Sequence, residues 1–162
     1  MNAVDVLKYG QQTLLRALDS FPAAAWETPG ACGVWSVKDI ISHLASYELV
    51  LVELLAGFTG GDGPTPYLTA YIETHDQFND EQVNMRKDLG MEEVLAELNQ
   101  AHDRVMALIA QIPPETCRQV GTLRWYGAEY ALDDFLVYTY YGHKREHSAQ
   151  VAAFYDVLKA SA

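Results

Sequence analysis

The stretch Leu136–Phe154, LVYTYYGHKREHSAQVAAF, decides how the rest of the chain is read. Taken in steps of three and four, it yields a line of Leu136, Tyr140, His143, His147, Val151 and Phe154, continuing to Leu158. Such a line is one stripe of one amphipathic helix. Two histidines therefore stand in its core-facing line, one turn apart, where both imidazoles can address a single ion. A buried imidazole without a partner costs on the order of a few kcal/mol. Spacing alone leaves two ways to meet that cost: a shared metal, or hydrogen bonds to tyrosines or helix carbonyls.

Working outward, this last helix is expected from Leu132 to Lys159, with Asp133 and Asp134 in its first turn, where negative charge suits the helix dipole. A first helix is expected over residues 2–20 from Val4, Leu7, Gln11, Leu14, Leu15 and Leu18. A second starts at Ser36, an N-cap whose partner Asp39 completes a capping box. It continues through Ile40, Ile41, Leu44, Tyr47, Leu51, Leu54 and Leu55 to a stop at Gly57. Residues 67–86 read as short polar helical pieces. A third long helix follows from Met91 to Ile112 on Leu95, Leu98, Val105, Ile109 and Ile112, ended by Pro113-Pro114. Residues 115–131 form a long connection that could hold an extended segment. The expectation is an all-α fold, a four-helix bundle with long connections, as one domain over residues 1–162.

A third histidine shifts the balance toward metal. His43 lies mid-way along the second helix, at the edge of its apolar stripe, so two helices bring three imidazoles to similar depth. Tyr47, one turn after His43, and Tyr140, one turn before His143, are pocket candidates; each is also read as a core aromatic. Gly142 lowers helix propensity by roughly 1 kcal/mol, which suggests close helix approach or clearance for a substrate. Gln150 is a candidate to support His147 from behind, or a solvated helix residue. His102 reads as a hydrogen-bonded flank residue rather than a fourth ligand, and His75 as exposed. Trp35 fits a hydrophobic staple before the Ser36 cap. Arg124 and Trp125 are candidates for a pocket mouth. HKREH also spells the inverted zinc-peptidase signature H-x-x-E-H. The 15 residues after His147 contain no glutamate to complete such a site, so Glu146 is placed on the helix flank.

Net charge is −11. A polyanionic surface repels phosphate backbones and anionic lipid, which argues against nucleic-acid and membrane partners. The apolar run around ISHLASYELVLVELLAG is broken by His43, Glu48 and Glu53 and is not read as a membrane span. With no secretory pattern at MNAVDVLKYGQ and two cysteines, Cys32 and Cys117, read as free thiols, a cytoplasmic setting is expected.

The pattern WSVKDIISHL, Trp35 to Leu44, followed about 100 residues later by HKREHSAQ, His143 to Gln150, resembles the DinB-like superfamily. That group includes bacillithiol S-transferase-like proteins and, more distantly, mycothiol-dependent maleylpyruvate isomerases. The resemblance implies a four-helix bundle with a three-ligand metal site, frequently in a homodimer. His43 carries over from the first motif, and His143 and His147 from the second. Three neutral imidazoles suit Zn²⁺ first, with Ni²⁺ or Fe²⁺ as alternatives, and leave a coordination position open. The chemistry implied is a thiol-dependent S-transfer or isomerisation of a small electrophile, with a low-molecular-weight thiol as co-substrate. A metal-dependent hydrolase and a non-catalytic metal-stabilised bundle are the alternatives.

Overall fold

The computed structural model describes residues 2–162 and is helical, with no strand among the described residues. Helix α1 spans Ala3–Asp19, α2 Val37–Phe58, α3 Pro66–Glu73, α4 His75–Met85, α5 Met91–Ile109 and α6 Pro114–Cys117. The last long element is continuous but not uniform. It comprises α7 (Leu132–Phe135), a π-helical segment (Leu136–Gly142) and α8 (His143–Ala160).

The α2 start follows its sequence. Ser36 Oγ accepts from the Asp39 backbone amide, and the Asp39 carboxylate accepts from the Ser36 backbone N–H at 2.9 Å. Its last residue, Phe58, lies one residue beyond the expected stop at Gly57. Gly60, at φ +86°, takes the left-handed position, and the Gly61 amide donates to the Ala56 carbonyl at 2.8 Å, which is a Schellman closure. Helix α5 stops at Ile109, short of Ile112. Residues 115–131 contain no extended segment; the Gly121 amide donates to the Tyr130 carbonyl at 2.9 Å and closes that stretch as a loop.

Helix α1 packs along α8 and the π-helical segment and also meets α5, while α2 lies against α5 and touches α8. At Gly10 a built Cβ would lie 3.4 Å from Tyr141 Cα, so the α1 contact leaves room for a methyl group but not for a larger side chain. Helices α3 and α4 lie against α2. By length and composition α2 would itself pass as a membrane span, contrary to the sequence reading, yet 78% of that apolar window is buried inside the protein. Its hydrophobicity is used by the core.

That core is divided. One apolar cluster gathers Leu7, Leu51, Leu55, Val105, Phe135 and Tyr140; the other gathers Leu14, Ile40, Leu44, Leu98, Val151 and Phe154. Between them, each long helix contributes buried polar side chains: Gln11 from α1, His43 and Glu48 from α2, His102 from α5, Lys144 and His147 from α8. Buried polar groups are tolerated when they satisfy one another, and Gln11, Glu48, His102 and Lys144 do so, whereas His43 Nδ1 has no hydrogen-bond partner. Glu48, fully buried, faces Lys144 Nζ at 2.6 Å through Oε1 and His102 Nδ1 at 3.1 Å through Oε2. Lys144 also donates to Gln11 Oε1 at 2.7 Å, and Gln11 Nε2 donates to Asn99 Oδ1 at 3.0 Å. Oε1 of Glu48 has no directed hydrogen bond besides this close ion pair. Burial pushes the Glu48 carboxyl up, but Lys144 and His102 outweigh it and hold the group below the usual carboxylate range.

Candidate metal centre

The three sequence-derived histidines converge at the edge of this polar layer. His43 Nε2 lies 2.9 Å from His143 Nε2, which lies 2.9 Å from His147 Nε2. One nitrogen from each ring falls within 4.8 Å of the others, a grouping that could hold a metal ion. His43, read as an edge residue, is only 2% exposed.

The π-helical segment sets this geometry. Its i to i+5 hydrogen bonds widen the turn, so α8 starts with a rotation that a uniform α-helix would not have. Gly142 suits the wide turn, because a Cβ there would come within 3.2 Å of the Val137 carbonyl oxygen. Periodicity of 3.6 residues predicts the inward line but not this segment.

The donor set fits a cation. His147 Nδ1 meets Gln150 Oε1 at 2.8 Å, an acceptor, so the proton of that ring sits on Nδ1 and Nε2 is a bare lone pair. The nearby Thr139 backbone favours a proton on His143. His143 Nε2 lies 2.9 Å from the His147 lone pair, and a cation between the rings would resolve the crowding. Protonation does not resolve it cheaply. Burial and the two neighbouring imidazoles lower the His43 pKa to about 2; burial and His147 lower that of His143 to about 4. Burial also lowers His147, against the pull of Gln150. Gln150 thus stands behind His147 as a supporting acceptor, the role metal-binding histidines generally require.

Beside His143 opens a cavity of about 440 Å³ lined by Tyr47, Tyr71, Tyr138, Thr139, Gly142, His143 and Glu146. Tyr47 is in the wall, its ring 4.9 Å from that of His143 and its hydroxyl donating to Asn79 Oδ1 at 3.1 Å. Tyr140 is not: it is fully buried and its hydroxyl donates to the Tyr47 carbonyl at 2.8 Å. The one-turn spacing that nominated it holds on the helix, but the side chain points into the core. Glu146, placed by sequence on an outer flank, lines the cavity instead.

His102 is committed to Glu48 and lies outside the cluster, and His75 is exposed. Trp35 does more than staple the helix start, since its ring packs 5.1 Å from that of His43; its position two turns before His43 was the available signal. Trp125 reaches the cavity wall only through Tyr71, 6.0 Å away, and Arg124 is exposed and lines no part of the cavity. Cys32 and Cys117 are free thiols and neither lines the cavity. Tyr71 was missed, because the polar pieces of residues 67–86 carry no periodic signal.

A family model described as the DinB superfamily matches residues 7–151, a span that includes all three histidines. No curated protein and no solved structure matches the chain.

Proposed function

This chain belongs to the DinB superfamily, and on that premise we propose that it is a metal-dependent enzyme acting on small electrophiles, with one divalent ion held by His43, His143 and His147. The observation that carries the reading is the meeting of three imidazole nitrogens, with His143 Nε2 2.9 Å from each of the other two, beside an open cavity. Zn²⁺ is proposed first, with Ni²⁺ or Fe²⁺ as alternatives, because borderline imidazole donors suit all three. When bound, such an ion supplies Lewis acidity and lowers the pKa of a coordinated water or thiol.

The remaining work falls to the chain's own residues. Gln150 holds the ring of His147 in the orientation that presents Nε2. The Tyr47 ring shields His43 and His143 from one side, and Trp35 covers His43 from another. The Tyr47 hydroxyl, anchored on Asn79, keeps its lone pairs for a substrate group in the cavity. Because no cysteine lines that cavity, the proposed nucleophile is an external low-molecular-weight thiol, and the proposed reaction is S-transfer or thiol-assisted isomerisation.

We further read residues 1–162 as one domain, and the four long helical elements as one bundle in which α1 and α2 sit on opposite sides. A homodimer is proposed from the family resemblance; α2 buries its apolar residues internally and has no free face to offer one. A cytoplasmic setting without nucleic-acid or membrane partners accords with the −11 charge. The test is to load the protein with zinc and offer glutathione, bacillithiol or mycothiol with an electrophile panel. Thiol-dependent turnover supports the reading. Turnover that persists without thiol points to a hydrolase, and none under either condition to a non-catalytic bundle.

A further inference from the structure

The cavity beside His143 has an unbalanced charge. Its wall is Tyr47, Tyr71 and Tyr138, its floor His143 and Gly142, and its one charged carboxylate Glu146. Neither lysine nor arginine lines it. The two basic residues closest along the helix are engaged elsewhere. Lys144 is buried against Glu48, and Arg145 lies over the Tyr141 ring, 5.5 Å from its centroid. Glu146 stands three residues after His143 and four after Gly142, so all three share one helix face. Glycine at 142 leaves that face uncovered, and Tyr138, 65% exposed, leaves the mouth open.

Each of these features favours the same ligand charge. Aromatic faces attract cations through their quadrupoles. The Glu146 carboxylate supplies a counter-ion, and the −11 charge of the whole chain draws cations from solution. An anionic group entering the cavity would meet Glu146 and no basic side chain.

We propose that this cavity selects substrates bearing a positively charged ammonium group, seated between Glu146 and the tyrosines while the reacting end reaches the histidines. The second half of that statement rests on the metal-dependent reading above; the ammonium seat is made of side chains alone and is testable without an ion.

The test uses three molecules of matched shape: choline, its neutral isostere 3,3-dimethylbutan-1-ol, and 3,3-dimethylbutanoate. Each is titrated by ligand-observed NMR into zinc-loaded and metal-free full-length protein. Choline should bind about tenfold more tightly than the alcohol in both forms, and the butanoate should bind most weakly to the metal-free form. Glu146→Gln should weaken choline about fivefold and leave the alcohol unchanged, with zinc content equal to wild type. Tyr138→Leu should weaken choline about threefold. Equal affinities for choline and the alcohol, tighter butanoate on metal-free protein, or a Glu146→Gln variant that binds choline as wild type would overturn the proposal. Selectivity for choline in a protein that takes up no zinc would uphold the seat and remove the metal reading alone.

Discussion

Lys144→Met should be among the most damaging single substitutions in this protein. Methionine matches the lysine stem in length, so packing is largely kept and the charge alone is lost. The Glu48 carboxylate, fully buried, would then retain only His102 at 3.1 Å, and Gln11 Oε1 would lose its donor at 2.7 Å. Removing one partner of a buried ion pair costs about 3–5 kcal/mol, which for a chain of this size lowers Tm by about 6–20 °C. Glu48→Leu should cost a similar amount by stranding Lys144. The double variant removes both charges, leaving Gln11 and His102 to find other partners at about 1–3 kcal/mol each. A double-mutant cycle by urea denaturation should therefore show a coupling of about 4 kcal/mol between positions 48 and 144 at the centre of these ranges. Lys144→Met within about 1 kcal/mol of wild type, or strict additivity, would refute the view that this pair ties α8 to α2.

Three further outcomes are expected. The metal-free protein should lose stability as pH falls from about 6.5 to 5. Burial and neighbouring imidazoles lower the pKa values of His43 and His143 to about 2 and 4, so in that window the unfolded chain binds protons that the native state does not. Each histidine contributes a slope that rises from about 0.7 to about 1.4 kcal/mol per pH unit across that window, and urea midpoints that stay flat would contradict it. Gly10→Leu should destabilise by about 1–3 kcal/mol through crowding against Tyr141, whereas Gly10→Ala, which gains helix propensity, should be close to neutral by thermal melting. Ser36→Ala should cost about 1 kcal/mol by removing the α2 cap, read as a shift in urea midpoint.

Much of the helical framework was legible because it depends on local signals. The Ser36–Asp39 box and the inward line from Leu136 to Phe154 are properties of neighbours along one helix. The end of α2 was legible to within one residue, although the left-handed turn that closes it falls at Gly60 rather than Gly57. The convergence of His43 with His143 and His147 was legible from their depth in two helices. The polar layer was not. Glu48 looked like an interruption of an apolar run, and nothing along the helix marked Lys144 for burial. Their partnership joins positions 96 residues apart (144 − 48) on different helices, which no periodicity reports. The π-helical segment was equally hidden, since its inward residues still fall at steps that an α-helix would use.

Metal analysis of the native protein by mass spectrometry tests the central claim most directly. About one divalent ion per chain is expected in wild type, retained in His75→Ala and lost from His143→Ala, with both variants folded by circular dichroism. Full metal content in a His43→Ala, His143→Ala, His147→Ala triple variant, or no ion in wild type after zinc loading, would contradict it.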